Sequence, residues 1–451
     1  MSKRLIVVLA LLFVVGTSFA AYAEVQNVKV SGDIIASGVA RSHFNLGYSV
    51  PDGDKSQFKQ NFLMSQIRLR VDADLTDNVL ATIRLINERV WNGQYDTNTS
   101  GNSNIDLDLA YVTLKEFLYS PLTFTVGRQE IHFGNGLIMG NAKAQTNTGN
   151  IPSDLSERKA FDAIRATLNY DPLVIDAFYA RVKQETYTVL AGNNPISNRN
   201  NINLYGVNAT YTLNKKVNVS GYYYLKNDNN TGIGGKSDKV NTIGALISTT
   251  PVENLNASVE AAYQFGRNNV TDATQKKHDA WALQAMADYT FAKVKTTPKV
   301  GASWTYLSGA KDGGNGGTTR NGNWDPMFYD QKLNNIVYAI LPFSNMNAFN
   351  LSASCKPLDD VTLSAVYGYY DVATKNNEGF SGVSYYDGTN TFVNGLSGKK
   401  HLGDAIDLTA TYNYTEDVQL GLTYGWFKPG AAIDTKEKDA NQLIGSLKVI
   451  F

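Results

Sequence analysis

Arginines and carboxylates carry the clearest chemistry in this chain. Of thirteen arginines, nine fall between Arg41 and Arg181 and none follows Arg320. A guanidinium presents a rigid fork of donors that matches carboxylates and phosphates. Arg41, Arg68, Arg70, Arg84 and Arg165 lie on the polar face of alternating segments, together with Asp72, Glu88, Asp106, Asp108, Asp176 and Glu260. In a confined wall such arginines can hold an anionic solute, and neighbouring acids keep that binding weak enough for release. The other reading is that these charges pair with one another, fix the shape of the wall and never meet a solute. The residues alone leave both open.

Other chemistries find less support. Gly235-Lys236-Ser237 has the end of a phosphate loop, but Asn230 stands where the first glycine is required and no helical pattern follows. Gly134-Asn-Gly-Leu-Ile-Met-Gly140 has the wrong spacing for a dinucleotide fingerprint and reads as a flexible loop. His43, His132, His278 and His401 are far apart in sequence, which gives a zinc site no support. Asp312-Gly-Gly-Asn-Gly-Gly317 reads first as a flexible loop and only second as a calcium loop. No nucleophile and base cluster in sequence. The expectation is a chain with no cofactor, no metal and no enzymatic activity.

The charges are set on strands. Val28–Tyr48 alternates, with Val30, Gly32, Ile34, Ala36 and Phe44 on one face and Lys29, Ser31, Asp33, Ser37, Arg41 and His43 on the other. Phe62–Leu75 directs Leu63, Ile67 and Leu69 one way and Gln66, Arg68, Arg70 and Asp72 the other. Val79–Val90 opposes Ile83 and Leu85 to Arg84 and Glu88. In Ile105–Tyr111, Leu107, Leu109 and Tyr111 oppose Asp106 and Asp108. Leu122–Ile131 returns, a long polar loop is expected over His132–Arg158, and Ala163–Lys183 reads as a hairpin. Further strands are predicted at about 201–213, 217–226, 239–249, 255–266, 278–290 and 297–307. Short turns alternate with longer polar loops, the asymmetry of an outer-membrane barrel with periplasmic turns and extracellular loops.

The ends of the chain agree. Lys3 and Arg4 precede the apolar run Leu5–Val15, and Ala21-Tyr22-Ala23 fits a cleavage site, so residues 1–23 read as a signal peptide and 24–451 as one barrel domain. Removing the leader leaves 39 basic against 41 acidic residues, a net charge of −2, and nothing points to nucleic acid. Cys355 is the only cysteine, so no internal disulfide forms. No later segment offers the roughly 18 consecutive apolar residues of a membrane helix. The last stretch, Asn441–Phe451, alternates Leu443, Gly445, Leu447, Val449 and Phe451 with Gln442, Ser446 and Lys448. A terminal aromatic strand of this kind suits recognition by the barrel assembly machinery.

Counting back from that strand, which ends at the periplasmic side, makes 418–427, 402–414, 361–371 and 348–356 wall strands. It also makes the whole of Ser308–Asn347 one extracellular loop, folded over or into the pore. Asn334–Phe343, apolar enough to be a strand, is then not one. The total is eighteen, an even number. Eighteen strands leave a bore too wide for strand side chains to fill.

Several motifs resemble one family. Arg68-Leu-Arg70, Leu85-Ile-Asn-Glu88-Arg89-Val-Trp91 and Val126-Gly-Arg-Gln-Glu-Ile-His-Phe-Gly134 are similar to the alginate export family. So are Phe161-Asp162-Ala-Ile-Arg165, Trp324-Asp-Pro-Met-Phe328, Gly403-Asp-Ala-Ile-Asp407-Leu408 and Leu422-Thr-Tyr-Gly-Trp-Phe-Lys-Pro-Gly430. The resemblance implies an eighteen-stranded outer-membrane barrel passing an acidic polysaccharide through an arginine-lined constriction, with Arg68, Arg70, Arg128 and Arg165 at the family's arginine positions. Alternation with Phe124 and Val126 places Arg128 outside unless a bulge at Gly127 turns it inward. The shortage of arginine after Arg320 argues against a strongly anion-selective pore. The expected function is an outer-membrane channel for a hydrophilic, anionic solute, with exopolysaccharide export as one form and an uptake porin as the alternative. A barrel enzyme, or a scaffold barrel for a secretion or electron-transfer partner, is a further alternative. Expected partners are outer-membrane lipid, the assembly machinery through Phe451, the solute and a periplasmic export protein.

Overall fold

Strict alternation becomes a continuous antiparallel wall. The computed structural model describes residues 27–44, 46, 59–91, 105–142, 151–183, 201–229, 237–269, 275–310, 320–375, 380–384, 391–394, 397–433 and 438–451. The signal peptide expected at 1–23 and the glycine-rich 312–317 stretch lie outside them.

The first half of the wall is β1 (Asn27–Ser42), β2 (Lys59–Thr76), β3 (Val79–Val90), β4 (Asp106–Leu114), β5 (Leu122–Gln129), β6 (Phe161–Asn169), β7 (Leu173–Lys183), β8 (Ile202–Asn214) and β9 (Val217–Asp228). The second half is β10 (Asp238–Thr249), β11 (Leu255–Asn269), β12 (Gln275–Thr290), β13 (Lys299–Leu307), β14 (Met346–Leu358), β15 (Val361–Val372), β16 (His401–Asn413), β17 (Val418–Pro429) and β18 (Ala440–Ile450). Each pairs antiparallel with the next, and β18 pairs with β1, from Ile450 opposite Asp33 to Asn441 opposite Ser42. Phe451 extends the seam: its N–H donates to Gly32 at 3.0 Å, and its carbonyl accepts from Gly32 at 2.7 Å. The barrel is closed with eighteen strands, as counted from the sequence. Closure leaves no unpaired edge, which a wall in hydrocarbon requires. A two-residue strand, Arg320–Asn321, adds parallel to the top of β12, where β13 has already ended.

The alternation predicts which side meets lipid. Val30, Ile67, Ile83, Val259, Leu351, Leu422 and Leu447 are exposed on the outer face. In water this apolar surface would cost about 25 cal/mol per Å², so its place is hydrocarbon. Their neighbours in sequence, Gln66, Arg84, Glu260 and Gln442 among them, are buried on the inner face.

Two expectations about facing are corrected. Phe44 does not continue the outward row of β1. His43 takes a positive φ of 54°, the chain turns in, and Phe44 is buried with the Arg41 guanidinium 4.8 Å above its ring. In β4 the register slips by one: Arg84 lies opposite Leu109 while Leu85 lies opposite Leu107, so Asp108 is a bulge residue. Asp106 and Asp108 both remain inside. Beyond the bulge the parity flips, so Leu109 is buried inside and Val112 faces out. Tyr111 follows Leu109 to the inner side, not the outer side expected of it.

The barrel is filled from above. Ile131, Leu137, Ile138 and Met139 are almost fully buried, so the 132–142 part of the supposed polar loop is an apolar insert. A second insert, 322–345, carries Trp324, Phe328 and the short helix α1 (Asn335–Ile340), with Ile336, Val337, Ala339 and Ile340 buried. Thus Asn334–Phe343 is not a wall strand. Its apolar residues cover the other insert and the inner wall.

Candidate functional site

The charged inner face of β1–β7 meets the two inserts, and each arginine has a carboxylate partner. Arg68 forks onto Asp33 of the neighbouring strand, with Nε–Oδ1 at 2.9 Å, and reaches Glu157 at 3.3 Å. Arg70 holds Asp72 through Nε at 2.7 Å and Nη2 at 2.9 Å, and Thr82 donates to the same carboxylate at 2.7 Å. Arg84 binds Asp108 at 2.5 Å and also Glu130. Arg165 binds Asp176 at 2.7 Å, and Thr167 donates to that oxygen at 2.6 Å. Arg41 donates to Gln442 across the closing seam at 2.7 Å and pairs with Asp154.

Glu88 is the anchor of the 151–158 segment. It accepts from Gln66 (2.8 Å), Ser156 Oγ (2.9 Å), the Glu157 N–H (2.8 Å) and Arg158 Nε (3.1 Å). Arg158 then donates to Asp106 at 2.6 Å. A carboxylate that is only 3 % exposed tolerates burial because every approach to it is a donor.

Exposure sorts the candidates. Arg41, Arg84, Glu88, Asp108, Asp176 and Glu260 are buried. The side chains of Arg70 (37 %), Asp72 (34 %), Asp106 (32 %) and Arg165 (27 %) remain open to the bore, and Arg68 less so (17 %). Glu260 accepts from the Tyr222 hydroxyl at 2.7 Å and sits beneath the Phe133–Met139 turn, away from the arginines.

Arg128 does not join the inner face. It registers with Asp162 and donates to it at 3.1 and 3.2 Å, on the face of exposed Val126 and Ile164. Gly127 has φ +124°, and a Cβ there would stand 2.1 Å from the Ala110 carbonyl. That close backbone approach needs glycine, yet the alternation continues through it and Arg128 stays outside.

The inserts are tied to each other and to the wall. Phe328 N–H donates to Ile138 O (3.0 Å), Asn141 N–H to Phe328 O (2.9 Å) and Asp330 N–H to Gly136 O (2.8 Å). Asp330 also takes Lys159 at 2.8 Å and faces His132 at 3.7 Å. Its burial opposes ionisation, but the His132 and Lys159 contacts outweigh it and hold the carboxyl below its usual range. Asp325 is likewise held low: burial is outweighed by Lys226 of β9, with which it pairs. Burial pushes the Tyr329 hydroxyl up to about 12, and its ring stacks on Phe343 at 4.5 Å. On the far wall Asp407 accepts the Asn335 N–H, placing a carboxylate at the start of α1, and the Asn334 side chain caps Val337 N–H.

Between the second insert and β12–β15 a cavity of about 430 Å³ remains. Asn135, Asp288, Lys299, Gln331, Lys332 and Asn350 are among its walls, with Lys299 and Asp288 paired at 3.0 Å. Among the described residues no cluster of histidine, cysteine or carboxylates is arranged to hold a metal.

Sequence reasoning missed Asp154, Glu157, Arg158 and Glu130, which complete the arginine ladder from loops. The signal was there: Glu130 and Arg158 flank apolar residues that a merely solvated loop would not need.

A closed eighteen-stranded barrel with an apolar exterior and a charged inner face on its first strands defines an outer-membrane channel. The chain belongs to the alginate export family, which matches residues 39–445. No curated protein matches it. Its fold is similar to those of solved porins. OpdK of Pseudomonas aeruginosa, solved with vanillate, is 8 % identical, covers 94 % of this chain and 99 % of its own, and has a TM-score of 0.53. OccK2 (OpdF) of the same organism, solved with glucuronate, is 10 % identical over 95 % and 100 %, TM-score 0.54. OccAB2 of Acinetobacter baumannii is 12 % identical over 95 % and 99 %, TM-score 0.57. The protein is located in the outer membrane.

Proposed function

We propose that this protein is a passive outer-membrane channel for a hydrophilic solute bearing carboxylates, an acidic polysaccharide or a fragment of one, and that it is not an enzyme. One observation carries the reading. Arg68, Arg70 and Arg165 are oriented by paired carboxylates and, like Asp72 and Asp106, keep part of their surface open to the bore. A guanidinium already fixed in direction loses little freedom on meeting a second carboxylate, and the resident acid limits how tightly the solute is held. The family's name and the carboxylate ligands of OpdK and OccK2 support this solute class.

Uptake of small solutes is the second reading. It is favoured by the pairing of every inner arginine named above, which leaves the wall near neutral, and by the modest cavity beside the second insert. Current block separates the two. Under the export reading, an oligomer of a hexuronic acid added to an open channel interrupts the current at lower concentration than its monomer, and Arg70→Ala weakens both. Equal block by the monomer and a neutral oligosaccharide would remove the carboxylate assignment.

In this account residues 1–23 are removed on export, the Phe451 strand is read by the assembly machinery, and a periplasmic export protein delivers the solute. Intact mass of the protein from outer membranes tests the first: a chain beginning at Glu24 is expected.

A further inference from the structure

The outer wall carries a charge pattern that solute passage does not use. Arg128 lies opposite Asp162, Asp162 opposite Arg181, and Arg181 opposite Asn203, which lies opposite Asn227. The row continues from Asn227 to Lys239, Arg267, Lys277 and Arg320. Register partners share a face, and this is the outer one. Arg128 lies with exposed Val126, and Lys239, Arg267 and Lys277 with exposed Ile243, Phe265 and Trp281. At about 4.8 Å per strand the row covers roughly 40 Å of wall. It holds six cations against one carboxylate, Asp162. Asp238 precedes Lys239 in the chain, and Asp279, two residues below Lys277, lies on the outer face. It meets Arg320 at 3.5 Å and accepts the Tyr263 hydroxyl at 2.9 Å.

The row sits at a definite depth. Toward the ends that carry the long loops, Arg181 lies two residues beyond Tyr179 and Asn203 two beyond Tyr205. Asn227 lies four residues beyond Tyr223, Arg267 four beyond Tyr263, and Lys277 four beyond Trp281. Outward tyrosines and tryptophans mark the membrane–water interface. Two to four residues of strand add about 7–14 Å, which is headgroup depth in the outer leaflet. The far wall differs. There Lys428 lies opposite Asp404, Lys400 meets Asp371 at 3.5 Å, His401 meets Asp404 at 2.9 Å, and the Trp426 indole donates to Asp439 at 3.0 Å.

We propose that the outer face of β5–β12, centred on Lys239, Arg267 and Lys277, binds the phosphorylated headgroup of an outer-leaflet glycolipid. A headgroup with two phosphates on a sugar backbone supplies doubly charged acceptors to adjacent cations. The acyl chains lie against the apolar wall below. The site is lateral and independent of the bore.

The test uses the full chain purified in detergent and native mass spectrometry with bisphosphorylated lipid A, its dephosphorylated form, phosphatidylglycerol and inorganic phosphate. The expected result is retention of bisphosphorylated lipid A, with binding weaker by about tenfold or more when both phosphates are removed or in a Lys239→Gln/Arg267→Gln/Lys277→Gln variant. Lys428→Gln on the far wall is expected to bind as the parent does. Comparable binding of dephosphorylated lipid A, or of phosphatidylglycerol, by the unaltered protein would overturn the glycolipid assignment without depending on how the triple variant folds. Full retention by a folded triple variant would overturn the site. Phosphate alone binding as tightly as lipid A would show a simple anion site instead.

Discussion

Arg84 and Arg70 carry the same chemistry in different surroundings, one buried and one open, and their substitution separates the two. Arg84 is buried between Asp108 and Glu130, so Arg84→Ala strands a buried carboxylate. Breaking such a pair costs about 3–5 kcal/mol. The variant is expected to unfold at clearly lower temperature or denaturant concentration, followed by gel mobility of heated and unheated protein. Arg70 and Asp72 are more than a third open, and Arg70→Ala is expected to change stability by less than about 1 kcal/mol. Its effect is expected on ion selectivity instead. Asp330 and Asp325 give a pH dependence. Their carboxyls titrate lower in the folded protein than in the unfolded chain, so the ties they make are fully present above the unfolded value and are lost as pH falls through the folded one. Current noise from the inserts should therefore be flat between about pH 5 and 8 and rise only below about pH 4. Asp330→Asn should show that noise at neutral pH.

At the scale of elements, the wall was legible and the filling was not. A period of two is a local property: Ile67 and Arg68 declare their faces wherever β2 is placed. The bulge at Asp108 is not local. It is set by pairing with β3, and it turned Leu109 and Tyr111 inside although the sequence alternates through them. The inserts were harder still. Ile131, Leu137 and Met139 are apolar for a loop, but what they cover is Phe178 and Tyr224 on the wall and Phe328 in the other insert, contacts far apart in the chain. The role of Arg158 could not be read before Glu88 was known to face it. Replacing 322–345 with a short flexible linker should leave the barrel folded and raise the unitary conductance. An unchanged conductance would mean that this insert does not narrow the path. Asn334→Ala removes the α1 cap at about 1 kcal/mol and should give a milder form of the same effect.

For the whole molecule, closure rests on β18 against β1. Leu443 and Leu447 face lipid, Gln442 reaches Arg41 inside, and Phe451 extends the ladder to Gly32. The direction of this strand, read from the sequence, fixed the count at eighteen and excluded Asn334–Phe343 from the wall. The ion-pair ladder on the inner face also resolved one alternative left by the sequence: the inner arginines do pair with acids, and the question becomes whether the open ones also serve a solute. Single-channel recording in planar bilayers answers it most directly. Discrete conductance steps are expected, with a preference for anions that falls when Arg68 and Arg70 are both replaced by alanine. No conductance, or a cation preference that the double replacement leaves unchanged, would contradict it.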